Sequence, residues 1–410
     1  MRERSVKSGL TIGVGILLGG MALAQSVPEK FVVSGKAAVT IKDHTTINLA
    51  TAQKIAETCE SLVAARGEKR SVERDRDGNP VYPIQINGEA PQHTIIVLDN
   101  DGNHVYFDRM DGQGYTNVVT AEMKARTALL TRAPSKATMN RVARNPNDEA
   151  YEVQLGLYPV AGGLPIIVGN QTIGFVGAGG YRPNPPVWSD EICVHRAMIE
   201  VLGPTVPPLL EDIPEAAEHG SAGGERLPVP TWGSTKAPQT SLMPEWVVSG
   251  AAAAHVLEGN QISLAAAKKL ASGCREFAAS NGTTMSLYVL DNAGEMVHME
   301  RMDGELPADA RTALLKAQTA LRLREPTSMR GVPMKNAGYV PPRNVAPNMF
   351  NFYLGIGGIP VVVDGQMIGS VGVSGADSTL DEKCAIAGLT AAFGGHALLP
   401  QYSTKGQTGK

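Results

Sequence analysis

Val105-Tyr106-Phe107-Asp108-Arg109-Met110-Asp111-Gly112 and Val297-His298-Met299-Glu300-Arg301-Met302-Asp303-Gly304 are two copies of one motif, and this repetition decides the architecture of the chain. The agreement extends outward on both sides. Val32-Val33-Ser34-Gly35 returns as Val247-Val248-Ser249-Gly250, and Asn48-Leu49-Ala50-Thr51-Ala52 as Ser263-Leu264-Ala265-Ala266-Ala267. Gly162-Gly163-Leu164-Pro165-Ile166-Ile167-Val168 matches Gly357-Gly358-Ile359-Pro360-Val361-Val362-Val363, and Ser189-Asp190-Glu191-Ile192-Cys193 matches Leu380-Asp381-Glu382-Lys383-Cys384. A unit of about 150 residues is too long for a solenoid repeat of about 20 to 50, and long enough to bury a core of its own. The chain is therefore read as two homologous domains in tandem. Functional residues are expected where the copies agree.

The 410 residues, 43% apolar and 19% charged, have the composition of a soluble globular protein. Arg2, Arg4 and Lys7 precede an apolar run from Leu10 to Leu18 and then Met21-Ala22-Leu23-Ala24. This is the layout of a secretory signal peptide over residues 1–24, with cleavage expected after Ala24. The alternative, an uncleaved anchor, would need about 20 apolar residues, and this run is shorter and rich in glycine. The expectation is a periplasmic or secreted protein with no membrane attachment after cleavage. The formal net charge of −3 comes with no basic stripe, so nucleic acid is not an expected partner.

Residues 28–202 and 244–398 form the two domains, with a tail at 399–410. Residues 203–243, rich in proline and broken by Gly220-Ser221-Ala222-Gly223-Gly224, read as an extended linker. The other reading is an ordered arm anchored by Leu209, Leu210, Ile213 and Trp232. In the second domain Ser263 is expected to cap a helix to about Asn281, with Leu264, Ala267, Leu270, Ala271 and Cys274 on one stripe. A hairpin turning at Asp291-Asn292-Ala293-Gly294 follows, then a helix over about 308–324. After an irregular stretch come a second hairpin around Asp364-Gly365 and a last helix over about 380–392. This order favours an antiparallel sheet with helices packed on it. The first copy carries an insertion at 67–93, read as a solvated loop.

These motifs resemble the GlcG/HbpS haem-binding-protein family, which also includes the C-terminal domain of PduO-type corrinoid enzymes. The signature is Val289-Leu290-Asp291 with Gly294, Arg301-Met302-Asp303-Gly304, Lys316-Ala317, Gly357-Gly358-Ile359-Pro360, Gly372-Val373-Ser374-Gly375 and Asp381-Glu382. The resemblance implies an α/β (α+β) fold of two tandem profilin-like domains, each a five-stranded antiparallel sheet sandwiched by helices. It implies assembly into oligomers, and haem or a related tetrapyrrole as a cofactor or ligand. The first copy departs from the pattern: Gly177-Ala178-Gly179-Gly180 lacks the hydroxyl of Ser374. If one copy is active, the second is expected to be that copy.

Arg109 with Asp111, and Arg301 with Asp303, end a strand two residues apart and project on one face. Either arginine could hold a carboxylate or propionate while its aspartate fixes the orientation; or each pair could simply pin the turn into the next helix. Lys124 and Lys316 could neutralise an anion, or act as a base if desolvated. Gly162-Gly163 and Gly357-Gly358 allow either close backbone approach to a ligand or a tight start to a buried strand. Asp190-Glu191 and Asp381-Glu382 suit a helix N-terminus, and an acid there could also move a proton. Lys316 and Asp381 are thus the catalytic candidates, and Ser374 joins the ligand-binding set. His298 and Met299 are candidate haem ligands, with packing as the other reading. There is no zinc-type spacing, so no metal site is expected. The segment 324–355, with Met329, Met334, Tyr339, Met349, Phe350, Phe352 and Tyr353, could cover a planar ligand or pack on the other domain.

Four cysteines fall twice at the same two places, in the first and last helix of each copy. In an exported protein that is the arithmetic of a disulfide framework, Cys59–Cys193 and Cys274–Cys384; buried thiols are the alternative. Three functions follow. The first is binding of haem, a related tetrapyrrole or a small anionic ligand. The second is a cofactor-independent lyase, isomerase or hydrolase acting on a small oxidised metabolite. The third is a non-catalytic assembly module. The two copies are expected to pack as a pseudo-dimer, and the chain could form homo-oligomers.

Overall fold

Helix, hairpin, helix, hairpin and helix succeed one another in both halves, as the repeat requires. The computed structural model describes residues 28–40, 46–65, 71–72, 86–87, 92–180, 188–211, 213, 240–249, 252, 260–329, 352–353 and 355–400. The leader at 1–24, most of the insertion at 67–93, Trp232 and the middle of the linker, and most of the segment 324–355 lie outside them. In the first copy the main elements are α1 (Leu49–Ala65), β1 (Thr94–Leu98), β2 (His104–Arg109), α2 (Tyr115–Thr131), α3 (Ser135–Arg144), α4 (Glu149–Gln154), β3 (Gly163–Val168), β4 (Gln171–Gly179) and α5 (Asp190–Leu202), and the insertion, expected as a loop, holds a short antiparallel pair of its own, Ser71–Val72 with Ile86–Asn87. In the second they are β5 (Ser286–Asp291), β6 (Met296–Arg301), β7 (Gly358–Val363) and β8 (Gln366–Ser374), with α6 (Leu264–Ser280), α7 (Pro307–Leu323) and α8 (Ser378–Phe393). The helices α3 and α4 stand where the sequence pattern suggested irregular chain.

Local signals set the ends of these elements. The Ser263 hydroxyl accepts from the Ala266 amide, and Ser189 caps α5 through Ile192 in the same way. Strand β1 is buried at every position, because helices cover both faces of the sheet and no alternation is needed. On one face lie α1 and α5, with α6 and α8; on the other, α2 and α7 meet the sheet through alanines such as Ala121, Ala125, Ala313 and Ala317. Gly163 and Gly358 have no room for a side chain. A Cβ on Gly358 would stand 2.3 Å from the Lys316 carbonyl oxygen, and one on Gly163 2.0 Å from that of Lys124. A tight start to a buried strand accounts for glycine at these two positions.

The two copies share one eight-stranded antiparallel sheet in the order β3-β4-β1-β2-β6-β5-β8-β7. They join where β2 pairs with β6: Tyr106 opposite Glu300, Phe107 opposite Met299, Asp108 opposite His298. Phe107 and Met299 are equivalent residues, so a local twofold axis passes between them. Each copy contributes four strands among the described residues, where five were expected. The chain before the first helix adds only an isolated bridge, Val32 to Ile47 and Val247 to Ile262. Each bridge touches the sheet by one main-chain bond, from Ile47 to Ile173 and from Ile262 to Ile368.

Both disulfides are formed as expected. Cys59 and Cys193 have Cα atoms 5.2 Å apart, and Cys274 and Cys384 4.5 Å apart, each bridge tying first helix to last within a copy. The start of the linker is ordered on its own copy. Lys136 donates to the Leu210 carbonyl at 2.8 Å, and Leu209 packs on the first core.

Candidate functional site

Equivalent lysines stand at the centre of each copy. Lys316, on α7, donates from Nζ to Asp381 Oδ2 at 2.7 Å and to the Val373 carbonyl at 2.9 Å. Lys124, on α2, makes the same two bonds, to Asp190 Oδ2 at 2.7 Å and to the Ala178 carbonyl at 3.1 Å. All four side chains are buried. Asp190 and Asp381 thus lie in the first turns of the last helices, as expected, and are at the same time buried ion-pair partners. Gly357 closes over the pair: a Cβ there would lie 2.9 Å from the Asp381 Cβ and 3.2 Å from the Lys316 Nζ. Ser374 ends β8 one residue beyond the carbonyl that Lys316 grips.

The two pairs differ electrostatically. In the second copy, burial pushes the Lys316 ammonium down despite the facing carboxylate, and pushes the Asp381 carboxyl up despite the facing ammonium. In the first, burial also pushes Asp190 up, but Lys124 and a hydrogen bond from His93 outweigh it and hold the carboxyl below its ordinary value. His93 lies 2.8 Å from Asp190 and accepts from the Trp188 indole at 3.1 Å. The comparison of copies could not single out His93, because Met285 stands at its place in the second.

The arginines and aspartates of the repeated motif do not form pairs within their own copy, as both sequence readings supposed. They cross the seam. Arg109 donates to Asp291 at 2.6 Å and Arg301 to Asp99 at 2.7 Å. Asp111 accepts the Leu264 amide at 2.8 Å and Asp303 the Leu49 amide at 2.7 Å, so each caps the first helix of the other copy. The β2–β6 pairing causes this, since it carries each strand end to the partner's hairpin turn.

His298 and Met299 are buried at the same seam. His298 Nδ1 is 2.6 Å from Asp108 and Nε2 3.0 Å from Glu300, so neither ring nitrogen is open to a metal. Met299 lies in the core under α2 and α7. The packing reading is the one the structure supports for both.

A cavity of about 250 Å³ opens at the seam, lined by Thr46, Asp99 and Asp101 of the first copy and Arg301, Asp303 and Glu305 of the second. Among the described residues, Arg301 uses one of its five N–H donors, on Asp99. Glu305 accepts from the Thr284 hydroxyl through Oε1, while Oε2 is buried with no partner among the described residues. Burial, helped by Asp309 and Asp381, raises the Glu305 carboxyl to about 6. Glu305 thus lines the cavity while feeling the charge of Asp381. Of the residues expected to converge, Lys316, Asp381, Gly357 and Gly358 come together; Arg301 and Asp303 line the neighbouring cavity. At the twin position Gln261 replaces Thr46 and reaches Asp291, and Gln113 replaces Glu305. Glu305 was missed for that reason: the first copy offers no matching acid.

The family described as Haem degrading protein HbpS-like matches the chain twice, over residues 85–198 and 262–390. An uncharacterized 15.0 kDa protein of Citrobacter freundii, from the dhaT-dhaS intergenic region, is 31% identical over 135 residues, covering 30% of this chain and 87% of that protein. Protein GlcG of Escherichia coli K12 is 36% identical over 102 residues, covering 24% of this chain and 71% of GlcG. The crystal structure of HbpS is 30% identical, covering 32% of this chain and 91% of that chain, with a TM-score of 0.29.

Proposed function

The chain belongs to the HbpS-like family, and from that premise we propose that it is an exported ligand-binding protein whose second copy carries the ligand site. The observation that carries this reading is the seam cavity, lined by the buried Arg301, which uses one donor among the described residues, and by Glu305, whose Oε2 is buried with no partner among them. Membership of a family described by haem degradation supports haem or a related tetrapyrrole as the ligand class. The described residues do not fit a whole haem. Neither His298 nor Met299 can reach iron, and the cavity is below the about 300–1,000 Å³ of drug-sized ligand pockets. It suits a carboxylate-bearing arm, or a small carboxylate on its own, held by Arg301.

The acids around Arg301 set a condition on that binding. Asp101, Asp303 and Glu305 oppose an anion while ionised, so Glu305 has to take a proton first. Carboxylate affinity should then rise as the pH falls through about 6. Titration with haemin, read by its Soret band, and with acetate or lactate, read by calorimetry, tests the reading. R301A should weaken the carboxylate by about tenfold or more, the loss of one charge-assisted hydrogen bond, and E305Q should flatten the pH dependence. Parent protein that binds neither haemin nor carboxylate would overturn it. Export is supported by the leader at 1–24 and by two disulfides, which persist in oxidising compartments. Mass spectrometry of the protein from cells should find Gln25 as the new N-terminus.

A second reading has its own support. The ammonium of Lys316 is lowered and the carboxyl of Asp381 raised, the displacement a proton-moving pair needs. A cofactor-independent enzyme would use them beside Arg301. Turnover of a small hydroxy or oxo acid, lost in K316M with binding kept, would favour it.

A further inference from the structure

Equivalent positions of the two copies meet at the seam carrying different charges. The repeat relates Gln53 to Lys268, Glu60 to Arg275, Tyr106 to His298 and Asp108 to Glu300. The first copy therefore brings two carboxylates, a phenol and an amide; the second brings two long cations, an imidazole and one carboxylate. They interlock. Lys268 reaches Glu60 at 2.7 Å and Asp108 at 2.9 Å, His298 bridges Asp108 and Glu300, and Arg275 holds the far side of Glu300. The Tyr106 ring meets His298 edge-on, with centroids 5.4 Å apart. Asp108 and His298 are wholly buried.

The main chain cannot choose between partners here. The β2–β6 ladder is centred on the equivalent residues Phe107 and Met299, so it would close as well between two first copies or two second copies. Selection has to come from side chains. Two first-copy faces would bury four carboxylates with no cation among these positions. Two second-copy faces would set four long cations and two histidines against two glutamates. The first arrangement leaves the buried Asp108 carboxylates without a cation, which is strongly destabilising; the second sets like charges against one another across the seam.

We propose that the seam is a selective pairing surface: the first copy's face accepts a face of the second copy's charge pattern and rejects its own kind. The occupant is the second copy of the same chain, held nearby by the connecting segment at high effective concentration. Chains associating through this seam do so only by reciprocal exchange, first copy with a neighbour's second.

Full-length protein with a protease site inserted within residues 214–239, cut and then assayed for association of its halves, tests this. K268Q/R275E/H298Y/E300D gives the second copy the first copy's pattern, and should weaken association by about 30-fold or more, as for loss of a buried interfacial charge partner. Adding Q53K/E60R/Y106H/D108E exchanges the two faces. This eight-substitution chain contains the same four changes, yet should associate within about threefold of the parent if the sites are coupled as proposed. Undiminished association of the fourfold variant would overturn the proposal. So would equal loss in both variants, since selection would then rest on packing alone.

Discussion

Lys316 shows how a residue common to both copies can have different chemistry in each. It and Lys124 make the same two bonds, yet only the first copy adds a histidine to the aspartate. Removing one member of a buried pair leaves the other charge uncompensated, at a cost of about 3–5 kcal/mol. K316M should lose about that much in urea denaturation, partly relieved because Asp381 can take a proton. K316M/D381L, which replaces both partners by apolar groups, should recover most of the loss. If K316M is neutral, the pair contributes nothing to the fold, and a functional reason for it becomes the stronger one.

At the scale of elements, each copy is clamped in two ways. Strands β3 and β7 lie directly on the backbone of α2 and α7 because glycine stands at the crossing. A methyl at Gly358 would meet the Lys316 carbonyl oxygen at 2.3 Å, so strand or helix has to shift. G358A should cost about 1–3 kcal/mol by overpacking, whereas G395A, with nothing within 4 Å, should be near neutral by the same denaturation measurement. The second clamp is the disulfide. C274A/C384A should lower stability by about 2–5 kcal/mol, and the parent under reducing agent should lose stability in the same direction. Equal stability with and without reductant would mean the first and last helices are already held by packing.

Across the whole molecule, the seam makes stability depend on pH. Burial opposes charge on His298, but Asp108 and Glu300 prevail and raise it from 6.5 to about 9. Its contribution is complete below the unfolded value of 6.5 and is lost as the pH rises through 9. Burial and Asp108 raise Glu60 from 4.5 to about 8, so the fold also holds an excess proton there between those values. Lys268 and Arg275 stay charged throughout this range. Asp108 and Glu300 are held below their ordinary values, and their contribution is lost in acid. The thermal midpoint should therefore fall steadily from pH 6 to 9, and H298N should remove the upper part of that slope; a flat profile in the parent would contradict the assignment. Much of this molecule was legible beforehand. Repetition marked two domains, apolar spacing and caps located the three helices and two hairpins that the copies share, though not α3 and α4, and the doubled cysteine positions named both bridges, because these depend on local pattern or on comparing one copy with the other. The partners of Arg109, Arg301, Asp111 and Asp303, the burial of His298, and the place of Glu305 and His93 were not legible. Each depends on how β2 meets β6, or on a side chain that only one copy possesses. A strand-end arginine looks the same in sequence whether it faces a ligand or the other copy's aspartate, and only the pairing of two distant strands decides which.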